Sequence, residues 1–128
     1  MNENVSNAIY SQLSAAPIVL SDTLPVYPNF APQAVQEFIV YQVISINQMP
    51  TTERMSEVRV QVSVTSVLYN RVTEIVDSLK RHLRKSSLSG KQTGVVLRYS
   101  STENEAYEYE NSSELSRGYF DINYIASL

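Results

Sequence analysis

The side chains that could carry chemistry are few and scattered. The 128 residues include one histidine, His82, and no cysteine. His82 stands between Arg81 and Leu83, one position off the apolar stripe of a helical stretch. A metal site or an acid–base centre needs partners clustered at fixed geometry, which a lone histidine does not supply, so its expected role is structural. Ser89-Gly90-Lys91-Gln92-Thr93-Gly94 has the outline of a phosphate loop, but that pattern requires an earlier glycine where Lys85 stands and Ser or Thr where Gln92 stands. Glu103, Glu105, Glu108 and Glu110 are hard oxygen donors. They lack the glycine-centred loop that wraps calcium, and Tyr107 and Tyr109 between them suggest a strand with tyrosines on one face. A solvated hairpin or interaction arm is therefore expected. Asn111-Ser112-Ser113 fits a glycosylation acceptor, but Met1-Asn2-Glu3-Asn4 lacks the basic start and apolar core of a secretory signal. No enzymatic activity, cofactor or metal is expected.

Composition bounds the rest. Hydrophobic residues at 43% and charged residues at 18% are ordinary for a globular chain, and the length favours one domain over 1–128. Without cysteine, stability must come from a packed core rather than disulfides. No apolar run approaches the roughly 18 residues of a membrane span. The net charge of −3 argues against a general nucleic-acid binder.

The elements that would position any site are clearer. Val58, Val60, Val62 and Val64 alternate with Arg59, Gln61 and Ser63, the pattern of a strand with one buried and one wet face. The period then changes: Tyr69, Val72, Ile75, Val76, Leu79 and Leu83 mark one face of a helix. Lys80, Arg81, Arg84 and Lys85 crowd the last turns of that helix, which suits the negative end of its dipole. Before it, residues 4–15 read as a helix with Asn4 as N-cap and Pro17 marking its end. Leu24 to Pro28 reads as a short edge strand. Phe38 to Ile46 reads as a strand with apolar residues on both faces, pairing as a hairpin with the valine strand across a polar connection at Asn47 to Arg54. Ser86 to Gly94 reads as a linker, Val95 to Tyr99 as a strand and Tyr119 to Ala126 as the last strand. The expected fold is α+β, a mostly antiparallel sheet of four to five strands with two helices on one face. Residues 1–4 are expected to be flexible, and an acidic segment at about 100–117 to project. Five of the nine tyrosines follow residue 98, a placement that suits an interface or packing on the sheet.

Taken in order, the helix Asn7-Ala8-Ile9-Tyr10-Ser11-Gln12-Leu13, then Val26-Tyr27-Pro28-Asn29, Phe38-Ile39-Val40-Tyr41-Gln42, the valine strand, the helix Val72 to Leu83 and the closing strand Tyr119 to Ala126 resemble the tail-completion, or tail-terminator, proteins of long-tailed bacteriophages. The resemblance covers roughly residue 5 onward. It implies a structural virion protein at the head-proximal end of the tail, assembled in the host cytoplasm. Such a protein forms a ring, usually of six subunits, that caps the finished tail tube, stops its polymerisation and offers the surface joining the head. The implied partners are further copies of the chain, the tail tube protein and a head-completion protein of the neck. DNA would pass through the ring without specific binding, and there would be no membrane. A mildly acidic chain fits such a channel, since a basic lining would hold phosphates. The alternatives are another neck component, a head-closure or adaptor protein, or an unrelated small α+β protein-binding domain.

The segregation of charge along the chain suggests where subunits would touch. Glu105, Glu108 and Glu110 are the acidic candidates, and Arg81, Arg84 and Lys85 the basic ones. In a head-to-tail ring opposite surfaces of neighbours meet, and complementary charge would set register.

Overall fold

Strict alternation of β-branched and polar residues makes Met55–Ser66 the spine of the molecule. The computed structural model describes residues 2–32, 36–49, 55–85, 96–110 and 114–127. In chain order the elements are α1 (Asn2–Ser14), α2 (Pro17–Asp22), β1 (Val26–Pro28), β2 (Phe38–Gln48), β3 (Met55–Ser66), α3 (Tyr69–Lys85), β4 (Val96–Glu110) and β5 (Leu115–Ser127). The strands form one sheet in the order β1-β2-β3-β5-β4. Three of the four pairings are antiparallel, and β1 runs parallel to β2. The architecture is α+β, as the sequence leads one to expect.

The β3 valines are all buried, while Arg59, Gln61 and Ser63 are half-buried on the other side. The register places Val62 between Tyr41 of β2 and Phe120 of β5, and Val60 between Val43 and Ile122. Phe120, Ile122, Tyr124 and Ala126 are buried on this same face. Against it lies α3, whose Val72, Ile75, Val76, Leu79 and Leu83 are buried. α1 adds Val5, Ala8, Ile9 and Leu13 to the same core. The opposite face of the sheet carries no helix among the described residues.

Several details differ from the sequence-based expectation. Asn4 is not a cap: α1 already begins at Asn2, so Asn4 falls in its first turn. Pro17 does more than end α1. It opens α2 as the first helical residue, with Ala16 extended before it, a position where proline's missing N–H costs nothing. Six residues are too few to show a period, so α2 adds a third helix that pattern reading passes over. Tyr69 is 54% exposed rather than on the buried stripe, because its ring leans on Tyr107, centroids 5.8 Å apart. Asn47 and Gln48 belong to β2 rather than to a connection; residues 50–54 lie outside the described residues, as does the expected linker at 86–94. The segment at about 100–117, expected to project, is laid into the sheet: residues 100–110 continue β4, and β5 already begins at Leu115. The acceptor pattern at 111–113 lies outside the described residues. Among those residues no helix is long and apolar enough to cross a membrane.

Two polar clusters join the layers. Arg71 of α3 meets Asp22 of α2, Glu37 before β2 and Glu74 of its own helix, and Ser66 donates to Glu37 at 2.8 Å. The hydrogen bond it donates to Asp22 holds the Arg71 guanidinium above its ordinary pKa, with Glu37 adding to it and desolvation opposing. On the other side of the core, His82 Nε2–H donates to the Gln12 carbonyl at 2.9 Å, and the Tyr124 hydroxyl donates to Gln12 Oε1 at 3.2 Å. The sole histidine thus ties α3 to α1, the structural role its isolation suggests.

Candidate functional site

The acidic strand and the basic end of α3 are the residues singled out from the sequence, and the fold brings them together within one subunit. β4 is the outermost strand, paired with β5 on one side only. Strict alternation would put Glu103 and Glu105 on the same face. A bulge between Glu103 and Ala106, with Asn104 at φ 58°, breaks that alternation. Asparagine tolerates this left-handed backbone better than most residues. The consequence is chemical. Glu103 and Asn104 stay on the open face, while Glu105 turns to the helix side and meets Lys80 Nζ.

Around that pair the hairpin is fastened to α3. The Tyr107 hydroxyl donates to Glu105 Oε2 at 3.2 Å, and its ring lies over Gly118. Lys80 holds the Glu105 carboxylate below its ordinary range, against desolvation. Burial, reinforced by the Glu105 charge, pushes the Tyr107 hydroxyl up to about 12. Arg84 lies over the Tyr99 ring, 5.7 Å from its centroid. Arg81 and Lys85 are exposed on the outer surface of α3. Glu108 is opposite Arg117 on the open face, 3.4 Å from it. Glu110 closes β4, and its side chain is outside the described residues. The six candidates therefore do not share one surface. Glu105, Arg84 and their partners lie on the helix side, and Glu108 on the opposite side.

A depressed folded pKa at Glu105 means its pairing with Lys80 contributes stability above the unfolded carboxylate value of 4.5, lost as pH falls through the lower folded value. The Glu105→Gln variant is expected to be slightly less stable than the parent at neutral pH. The gap should close below the carboxylate range and stay small throughout, since both groups reach solvent. Urea unfolding at several pH values reads this; a gap that does not change with pH contradicts the pairing.

The open face holds a second group, which the sequence reading did not single out. Arg59 of β3 reaches Glu103 at 3.4 Å and Asp121 at 3.5 Å. Asn104 donates to Asp121 at 2.9 Å, and Asn123 donates to Ser101 at 3.0 Å and to Glu103. Arg59, Ser101, Glu103 and Asn123 border a cavity of about 330 Å³. The signal was present as the polar phase of β3 and β5, but joining them requires knowing that these strands are neighbours. The network is a polar surface in which the buried Arg59 Nε lies 3.5 Å from Asp121 but makes no hydrogen bond. Among the described residues no three His, Cys, Asp or Glu side chains stand close enough to hold a metal ion.

No family model matches the chain, and no curated protein matches it. Among solved structures it is similar to a chain of the virion of a native gene transfer agent particle, with TM-score 0.69 and 13% identity over 95% of this chain and 93% of that one. A second solved chain is similar with TM-score 0.63 and 17% identity, covering 100% of this chain and 96% of its own. At such identities the likeness establishes the fold, over the whole length of both partners.

Proposed function

We propose that the chain is a structural virion protein of the tail-terminator kind. Copies form a ring, usually of six subunits in the family it resembles, that caps the finished tail tube, stops its growth and presents the surface to which the head joins. The observation that carries this reading is the end-to-end likeness to a chain of the virion of a gene transfer agent particle; the order of elements in the sequence, which resembles that of tail-completion proteins, supports it. The ring would contact the tail tube protein on one side and a head-completion protein on the other, with DNA passing through. Arg81 and Lys85, exposed on α3, are the charged candidates such a ring leaves for neighbours, since Glu105, Arg84 and Glu108 have found partners inside the subunit.

The solution test is mass. The purified chain is expected to sediment as a monomer or loose oligomer and to convert to a closed ring in the presence of assembled tail tubes. A chain that stays monomeric at every concentration and never associates with tubes contradicts the reading and favours a small binding domain.

A further inference from the structure

We propose that neighbouring copies join edge to edge, with the early half of β4 in one subunit adding antiparallel to the late half of β2 in the next. The inference rests on the ring reading for its occupant, a second copy of this chain, and adds to it the surface and the strand polarity.

The sheet has two edges, and each is half covered in its own way. β1 spans only the part of β2 opposite Val26–Pro28, from Ile39 to Tyr41. The Tyr41 carbonyl accepts from the Asn29 N–H at 2.9 Å. Beyond it, Gln42 to Asn47 have no strand on that side among the described residues, and none of their side chains is buried. Ile44 is 48% exposed. On the far edge nothing described pairs with the outer side of β4.

Registers read across the sheet show which parts are level. Ile39, Val64, Gly118 and Tyr107 share a row. Val43, Val60, Ile122 and Thr102 share another, and Asn47, Glu57, Ile125 and Arg98 a third. The part of β2 that β1 covers is therefore level with the stretch of β4 around Glu105 to Glu108. The uncovered part of β2, Gln42 to Asn47, is level with Arg98 to Glu103.

Natural edge strands are guarded against pairing by charge, proline or cover. Gln42 to Asn47 contain no charged residue, proline or glycine, and Tyr99 to Thr102 contain none either. Arg98 and Glu103 flank this stretch on the rows of Asn47 and Gln42, while Glu105 lies beside Ala106 and Tyr107, whose rows β1 covers on the opposite edge. The unguarded halves thus match in height. Each also carries one bulge on nearly the same row, at Ile44 in β2 and at Ser100 in β4, so the two edges bend together.

Polarity completes the match. Three antiparallel steps separate β2 from β4, so the two strands run in opposite directions. When two copies stand side by side the same way up, as rotation about an axis along the strands requires, β4 meets the next β2 antiparallel. This contact is heterologous, and it closes when the rotation divides the circle. Main-chain hydrogen bonds would supply the join, as in other strand additions.

The cysteine-free chain permits a direct test. Ile44→Cys is combined in turn with Arg98→Cys, Ser100→Cys and Ser101→Cys, and with Asn70→Cys on α3 as the control. Within one subunit β2 and β4 are three strand spacings apart, about 14 Å, well beyond the roughly 7 Å Cα limit of a disulfide. Any bond must therefore join two subunits. Purified protein is oxidised at high concentration, alone and with assembled tail tubes, and read by non-reducing electrophoresis and sedimentation. The expected result is a ladder of covalent multimers from at least one β2–β4 pair, ending at the size of the ring, and none from the control. Rings that sediment intact while every β2–β4 pair remains uncrosslinked overturn the edge contact and leave the ring reading standing. A chain that neither crosslinks nor rises above the monomer, alone or with assembled tail tubes, overturns both.

Discussion

Val62→Asp is expected to leave no folded protein. Val62 is fully buried between Tyr41 and Phe120 in the middle of the sheet. Losing a buried valine forfeits about 1.5–3 kcal/mol of transfer free energy. An unpaired carboxylate placed there costs several kcal/mol more, as desolvation or as protonation of the acid. The sum approaches the entire stability of a small domain, about 5–15 kcal/mol. Gln61, one residue earlier, lies half-buried on the open face opposite Gln42 and Asp121. Gln61→Lys there should change stability by less than about 1 kcal/mol. Circular dichroism on heating separates the two: a folded Val62→Asp protein, or equal loss in both variants, would mean that the register of β3 is wrong.

Gly118→Ala has the next largest expected effect. A Cβ on Gly118 would come within 2.8 Å of Val72 Cγ1 on α3 and of the Tyr107 ring. The ring can swing, but Val72 is β-branched and buried on a packed helix, so the added methyl forces α3 away from the sheet. Overpacking of this kind costs about 1–3 kcal/mol. In a domain of this length that is a fall in melting temperature of about 3–10 °C. Because Tyr107 also donates to Glu105, moving its ring loosens the contact with Lys80. In a Tyr107→Ala background the same substitution should cost less, since only Val72 remains in the way. A Gly118→Ala protein that melts with the parent would contradict the close approach of β5, Tyr107 and α3.

The parts of this fold that were legible in the sequence are those where a single period governs both partners. The β3 valines, the α3 stripe and the alternation from Phe120 to Ala126 each announce a buried face, and the register joins those faces as expected. What pattern reading missed follows from broken periods and from neighbours distant in sequence. α2 is shorter than two helical turns. The long strand β4 reads as two pieces, Val95 to Tyr99 and a stretch around Tyr107 and Tyr109, because bulges at Ser100 and at Asn104–Glu105 interrupt its alternation. Glu105 and Glu108 read as one acidic block by composition, although three residues of strand separate them and they lie on opposite faces of the sheet. The charge segregation that suggested contacts between subunits proves to be answered in part within the chain, by Lys80 with Glu105 and Arg117 with Glu108. The polar network around Arg59 needed knowledge that β3 and β5 are adjacent, which no local pattern supplies.

The central claim, a ring that ends tail growth, is tested most directly by electron microscopy of tails assembled with and without this protein. With it, the account predicts tails of uniform length, each carrying one closed ring at the head-proximal end. Without it, tails should continue to polymerise to uncontrolled lengths and fail to join heads. Tails of the same uniform length in both preparations, with no ring density that depends on the protein, would contradict the account.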